Sequence, residues 1–212
     1  MTRTVLMIVI AVTFAGCATA PPKDYTRFNA ARPNSILIVP AVNNSVEVTA
    51  SDYFLATISI PLAESGYYVF PINMVKRMLE DDGLSDSSLV HNASVEKLSN
   101  LFGADAVLYV TINQWDAQYL VLTTQVTVDL AYTIKDGRTG ATLWEHQQKM
   151  VYAPSSSGGG GIGSIVAMAV TAAITKASPN YIPLARQANA LTFTYPGPGI
   201  PPGRYHTPEQ TK

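Results

Sequence analysis

The amino-acid sequence predicts an α/β fold, a mixed sheet flanked by helices in which the C-terminal strands form an antiparallel meander. Three observations carry the prediction. Up to about residue 105, short continuous apolar runs alternate with segments whose apolar residues recur at helical spacing. Beyond that point the apolar period falls to two. The chain is also 47% apolar and only 14% charged, where roughly 25% charged is ordinary for a soluble protein, so it can bury a sizeable core. Its 212 residues suit one domain with tails.

Met1 to Gly16 has the order of a secretory signal: Arg3 in a short n-region, an apolar stretch from Val5 to Phe14 broken only by Thr13, and small residues ahead of Cys17. It is shorter than the roughly 20 apolar residues that a permanent span requires. Residues 17–34, with Pro21, Pro22 and Pro33, read as an extended tether, and residues 35–195 as a single α/β domain. Ser35 to Pro40 opens that domain with a continuous apolar run, the mark of a strand buried on both faces. Phe54, Ile58 and Leu62 place a helix over Ala50 to Gly66, which Pro61 is expected to kink or divide. Tyr67 to Phe70 is a second strand. Ile72 to Asp82 and Ala93 to Phe102 are helices, the latter capped by Asn92 or Ser94 and stopped by Gly103. Ala106 to Trp115, Gln125 to Lys135 and Ala141 to Tyr152 are the meander, with Asp136 to Gly140 as the turn between the last two. Ser155 to Gly163 is a Gly-rich connector, followed by a small-residue helix over Ile162 to Ala177 and a last helix over Tyr181 to Thr192. Residues 196–212, with five prolines and three glycines, read as an irregular Pro-rich tail.

The charge balance, 14 basic against 15 acidic side chains, offers no field to attract phosphate chains, so nucleic acid is a poor partner. One cysteine forms no internal disulfide, and three scattered histidines leave little for a transition-metal site. Gly158, Gly160 and Gly163 satisfy G-x-G-x-x-G, yet no acidic residue lies between Glu145 and Glu209 to hold a ribose, so the segment reads as a linker and no cofactor is expected. Ser94-Val95-Glu96-Lys97 matches S-x-x-K without its partner motifs and reads as a helix cap. His91, His146 and His206 fall in a loop, a strand and the tail. Glu80, Asp81 and Asp82 read as a solvated helix end. Eleven tyrosines exceed what a core ordinarily takes, because each buried hydroxyl needs a partner; they read first as amphipathic sheet residues half in water, and otherwise as residues of an interface.

Phe14-Ala15-Gly16-Cys17 resembles the bacterial lipobox, in which the cysteine is lipidated; Phe14 replaces the usual leucine. Pro61 to Pro71 (PLAESGYYVFP), Phe102 to Tyr109 (FGADAVLY) and Asp136 to Trp144 (DGRTGATLW) together resemble a family of bacterial putative lipoproteins known as domain of unknown function 799. That family is similar in fold to the N-terminal domain of TolB and, more distantly, to the curli-secretion lipoprotein CsgG. The resemblance implies an outer-membrane lipoprotein with an accessory, non-enzymatic role in envelope assembly, secretion or transport, beside a CsgG-like partner. It supplies no catalytic residues.

The expectation is therefore a protein joined to the membrane by palmitate-type chains on Cys17, held at the outer membrane on its periplasmic face, with no catalytic, cofactor or metal site. Ala18, rather than aspartate, follows the cysteine, which the resemblance associates with the outer membrane. A homo-oligomer stays open. A second reading, a subunit of a CsgG-like pore, rests on the hairpin from Tyr119 to Tyr152, whose strands at about 17 residues and roughly 3.3 Å each would exceed a membrane thickness. Against it, Asp129, Lys135, Glu145 and Lys149 are poor lipid-facing residues. An envelope hydrolase acting through Ser94 or a histidine ranks last.

Overall fold

The computed structural model describes residues 23–119, 124–152 and 181–207. The leader, Cys17, the Gly-rich connector and the helix expected over Ile162 to Ala177 lie outside the described residues. In chain order the elements are α1 (Thr26–Ala31), β1 (Ser35–Ile38), β2 (Val42–Asn43), α2 (Ala50–Glu64), β3 (Tyr68–Val69), α3 (Ile72–Asp81), α4 (Ser87–Asn92), α5 (Val95–Phe102), β4 (Ala106–Tyr119), β5 (Thr124–Asp136), β6 (Thr142–Tyr152) and α6 (Ile182–Phe193). The six strands form one sheet in the order β3-β1-β4-β5-β6, with β2 also paired to β4. β1 is parallel to both neighbours, and β4, β5 and β6 run antiparallel, so the sheet is mixed.

The period of two divides the strand residues between two cores. Ile36 and Ile38 join α1, α2 and α6 on one side, whereas Leu37 and the following Val39 meet Val75, Leu79, Val90 and Leu98 of the α3 to α5 layer on the other. Val126, Val128, Leu130, Tyr132 and Ile134 of β5 are each at most 1% exposed and face the larger core, as their alternation requires. In β4 the inward set is Ala106, Leu108, Val110 and Ile112, and then Trp115, out of step by one. A register shift between Ile112 and Gln114 absorbs the extra residue and returns the fully buried Trp115 to the apolar side.

Four departures from the sequence-based expectations have local causes. Pro61 does not divide its helix: α2 is continuous over Ala50–Glu64, because Phe54, Ile58 and Leu62 are fully buried on one stripe and hold both halves against the sheet. The tether is folded in its second half, since Phe28 of α1 is buried and packs edge-to-face on Tyr67 at 6.2 Å. His91 belongs to α4, whose N-cap is Asp86, and not to a loop. The described part of the tail is irregular, as composition indicates, but packed, with Ile200 fully buried. Two expectations hold at residue level. Ser94 caps α5, and Gly103 closes it in the left-handed conformation (φ +69°) that its lack of a Cβ permits.

A chain of buried hydrogen bonds crosses the larger core. The Tyr132 hydroxyl donates to Asn189 Oδ1 (2.6 Å), Asn189 Nδ2 donates to Thr57 Oγ1 (2.8 Å), and the Thr57 hydroxyl donates to the Phe54 carbonyl (2.6 Å). β5, α6 and α2 are thereby joined through polar atoms in a site from which water is excluded. Asn189→Ala leaves the Tyr132 hydroxyl and Thr57 short of partners and is expected to cost about 1–3 kcal/mol. The check is a lower urea midpoint with an unchanged slope. Adding Tyr132→Phe, which deletes the orphaned hydroxyl, should recover part of the loss.

Candidate functional site

A proline-rich strap, residues 196–206, and the segment from Lys23 into α1 clasp one another. Pro196, Pro198, Pro201 and Pro202 bring no N–H groups, so this stretch cannot build a ladder of its own and presents carbonyls that need donors. Four side chains supply them. Tyr25 donates its hydroxyl toward the Gly199 carbonyl (2.6 Å) and the Gly197 carbonyl (3.0 Å). The Pro198 carbonyl accepts from both Lys23 Nζ (3.1 Å) and Trp144 Nε1 (3.0 Å). The Tyr67 hydroxyl donates to the Pro201 carbonyl. Further along, Gly203 N–H donates to the Ser65 carbonyl (2.8 Å) and Tyr205 N–H to the Gly66 carbonyl (3.0 Å). Gly66 has φ +90°, and a Cβ there would overlap the His206 backbone, so only glycine admits the strap at this turn.

Trp144 is the pivot. Its ring stacks on Phe193 at 5.7 Å from one side of the clasp, and the Lys23 ammonium lies 4.3 Å from its centroid. Burial pushes the Lys23 amine down to about 8, partly opposed by Glu145. Beside it, Asp24 accepts from Thr26 N–H (2.9 Å) at the start of α1, and a groove of about 240 Å³ opens between Lys23, Arg27 and the start of β6. On the far side of α1 a second groove, of about 560 Å³, is lined by Phe28, Arg32, Tyr67 and Arg204. A third, of about 940 Å³, lies between the ends of α2 and α6 and the strap, and includes Glu64, Phe193, Tyr195 and His206.

The candidates singled out in the sequence do not converge on a reacting centre. The Ser94 hydroxyl accepts from Lys97 N–H (3.4 Å) and donates to Glu96 Oε2 (2.5 Å), which occupies it as a cap. His91 Nε2 meets the Pro40 carbonyl (3.1 Å) with its ring edge-on to Tyr109, and burial holds the imidazole below its ordinary pKa. His146 lies on β6 against Gln148, likewise lowered by burial and by Lys23. His206, in the strap, has Nδ1 3.2 Å from the Glu64 carbonyl at the end of α2. Among the described residues no group of three or more His, Cys, Asp or Glu is placed to hold a metal ion, and of the acidic trio Asp81 pairs with Arg77 at 3.3 Å on the surface. Asp129, which is 8% exposed, accepts from Gln147 Nε2 (2.9 Å) and Asn113 Nδ2 (3.4 Å), so amides on β6 and β4 satisfy this carboxylate.

Of the surplus tyrosines, Tyr25 and Tyr67 donate to strap carbonyls of their own chain, and Tyr132 is buried in the larger core. Lys23, Trp144 and the strap carbonyls carried no local pattern that would have joined them.

The family described as "Putative lipoprotein GNA1162-like" is matched over residues 23–195. The chain is 35% identical over 165 residues to "Putative lipoprotein NMB1124/NMB1162" of Neisseria meningitidis serogroup B, covering 78% of this chain and 77% of that one. The crystal structure of lipoprotein GNA1162 from Neisseria meningitidis is 34% identical with a TM-score of 0.57, covering 66% of this chain and 97% of that one. A more distant likeness, 14% identical with a TM-score of 0.46, is to the PelC dodecamer from Paraburkholderia phytofirmans, over 88% of this chain and 96% of that one.

The depressed Lys23 amine has a measurable consequence. In an NMR titration of the ¹³C-dimethylated protein, one lysine resonance is expected to titrate near 8 and to move toward 10.5 in Trp144→Ala. Because the unfolded chain binds more protons than the folded one between these two values, the Lys23 contribution to stability rises with pH across that window.

Proposed function

The chain belongs to the family described as "Putative lipoprotein GNA1162-like", and from that premise we propose that it is an outer-membrane-anchored lipoprotein facing the periplasm, a non-enzymatic interaction module. The observation that carries the reading is the shortness of the link between the acylation candidate and the fold. Lys23, six residue steps from Cys17, is already fastened to Trp144 and the strap, and α1 follows it directly. A domain so tethered stays at the bilayer and meets partners there. Several acyl chains on Cys17 would make the attachment effectively permanent, since each buried CH₂ contributes about 0.8 kcal/mol. The finer reading, an accessory of a secretion or transport assembly beside a CsgG-like lipoprotein, rests on the sequence resemblance, as does the kinship to the TolB N-terminal domain.

The pore reading is less well supported. The apolar side chains of β5 are already spent on the core under α2 and α6, and the opposite side of that strand carries Thr127, Asp129, Thr133 and Lys135. Neither side offers an apolar band to lipid. The hydrolase reading has no support at Ser94, whose hydroxyl is engaged at the helix start.

Cys17→Ala is expected to abolish incorporation of labelled palmitate and to shift the chain from the membrane to the soluble periplasmic fraction. Persistent labelling of that variant, or an unlabelled parent chain, would overturn the assignment.

A further inference from the structure

The groove between α1 and the strap has the make-up of an anion site. Arg32 and Arg204 stand on its two sides, both exposed, and Phe28 and Tyr67 form its floor. No carboxylate lines it, and neither arginine has an ion-pair partner among the described residues. Asp105 lies just behind the lining residue Asn34, and its Oδ2 is engaged by three donors, Asn34 N–H (2.8 Å), Ser35 N–H (3.1 Å) and the Ser35 hydroxyl (3.2 Å). By contrast, the groove at Lys23 and Arg27 is faced by Asp24 and Glu145.

Arg32 also sits where arginine is unfavourable. It is the C-cap of α1 in the left-handed conformation, φ 45° and ψ 55°, and the described residue with positive φ that is not glycine. Glycine or asparagine suits such a cap, so a long cation held there points to a use for its side chain.

The location decides what the anion is. Six residue steps from Cys17 to Lys23 reach at most about 22 Å, the two steps on to Tyr25 about 7 Å and the rise along α1 to Arg32 about 11 Å, so the groove lies within about 40 Å of the residue proposed to carry the lipid. We propose that Arg32 and Arg204 receive the phosphate of an anionic lipid headgroup and seat the domain on the membrane beside its anchor. Guanidinium groups suit this task because their planar donors pair bidentately with phosphate oxygens. The direction in which the bilayer lies rests on the lipoprotein reading; the anion preference of the groove does not.

The test is co-flotation of the full chain carrying Cys17→Ser with two kinds of vesicle, phosphatidylethanolamine with phosphatidylglycerol, and phosphatidylcholine alone. Any contribution of residues 1–16 is common to every variant and cancels in the ratio. The phosphatidylglycerol preference is expected to fall about fivefold in Arg32→Gly and about thirtyfold in Arg32→Gly with Arg204→Gln, the loss that about one unit of surface attraction per arginine implies. Arg32→Gly suits the left-handed cap and should unfold at or above the parent's midpoint, which separates lost binding from lost structure. Arg77→Gln removes the same charge on α3 and should change nothing. The proposal fails if the double variant floats like the parent, if Arg77→Gln falls equally, or if the parent does not discriminate between the vesicles. Palmitate labelling of the Cys17 parent reports the anchor separately: label without vesicle preference overturns the groove alone, and preference without label overturns the anchor alone.

Discussion

The hydroxyl of Tyr132 is the point on which the architecture depends. A sheet strand with five apolar residues on one side needs a cover, and α2 and α6 provide it, but apolar contact alone would let them slide. The bonds from Tyr132 to Asn189 and from Asn189 to Thr57 set the register between strand and both helices. Around that hydroxyl the rings of Phe54, Trp144 and Phe193 lie within 6.4 Å of the tyrosine ring, so polar specificity and aromatic packing coincide at one place. Such a network rigidifies a core only when every member is satisfied.

The clasp inherits its position from that core. Trp144 is held by Phe193 and Tyr132 on the inside and turns its indole N–H and ring face outward to Pro198 and Lys23. The strap therefore docks on a surface fixed from beneath. The groove with Arg32 and Arg204 exists because α1 and the strap are both fastened to the same end of the sheet through Phe28 and Tyr67.

Much of the fold was legible because periodicity reports burial directly. The alternation from Val126 to Ile134 named the face of β5 that meets the helices, and Gly103 marked the end of α5. The step from Ile112 to Trp115, out of phase by one, was a readable sign of the bulge. Pro61 misled because local backbone preference is weaker than three fully buried side chains on one stripe. α1 was hidden because six residues with one large apolar side chain give no periodic signal, and neighbouring prolines suggest extension. The candidate site divides in the same way. Cys17 is readable from a contiguous motif, whereas Lys23 and Pro198 lie 175 positions apart and Arg32 and Arg204 line one groove only once the strap is folded in place.

Fastening Lys23 to the Pro198 carbonyl and the Trp144 ring has a mechanical result. A pull applied at Lys23 is shared at once with the strap, Trp144 and the strand at the sheet edge, instead of falling on α1 alone. On the proposed lipid attachment, a tug from the membrane would swing the whole body rather than unravel α1.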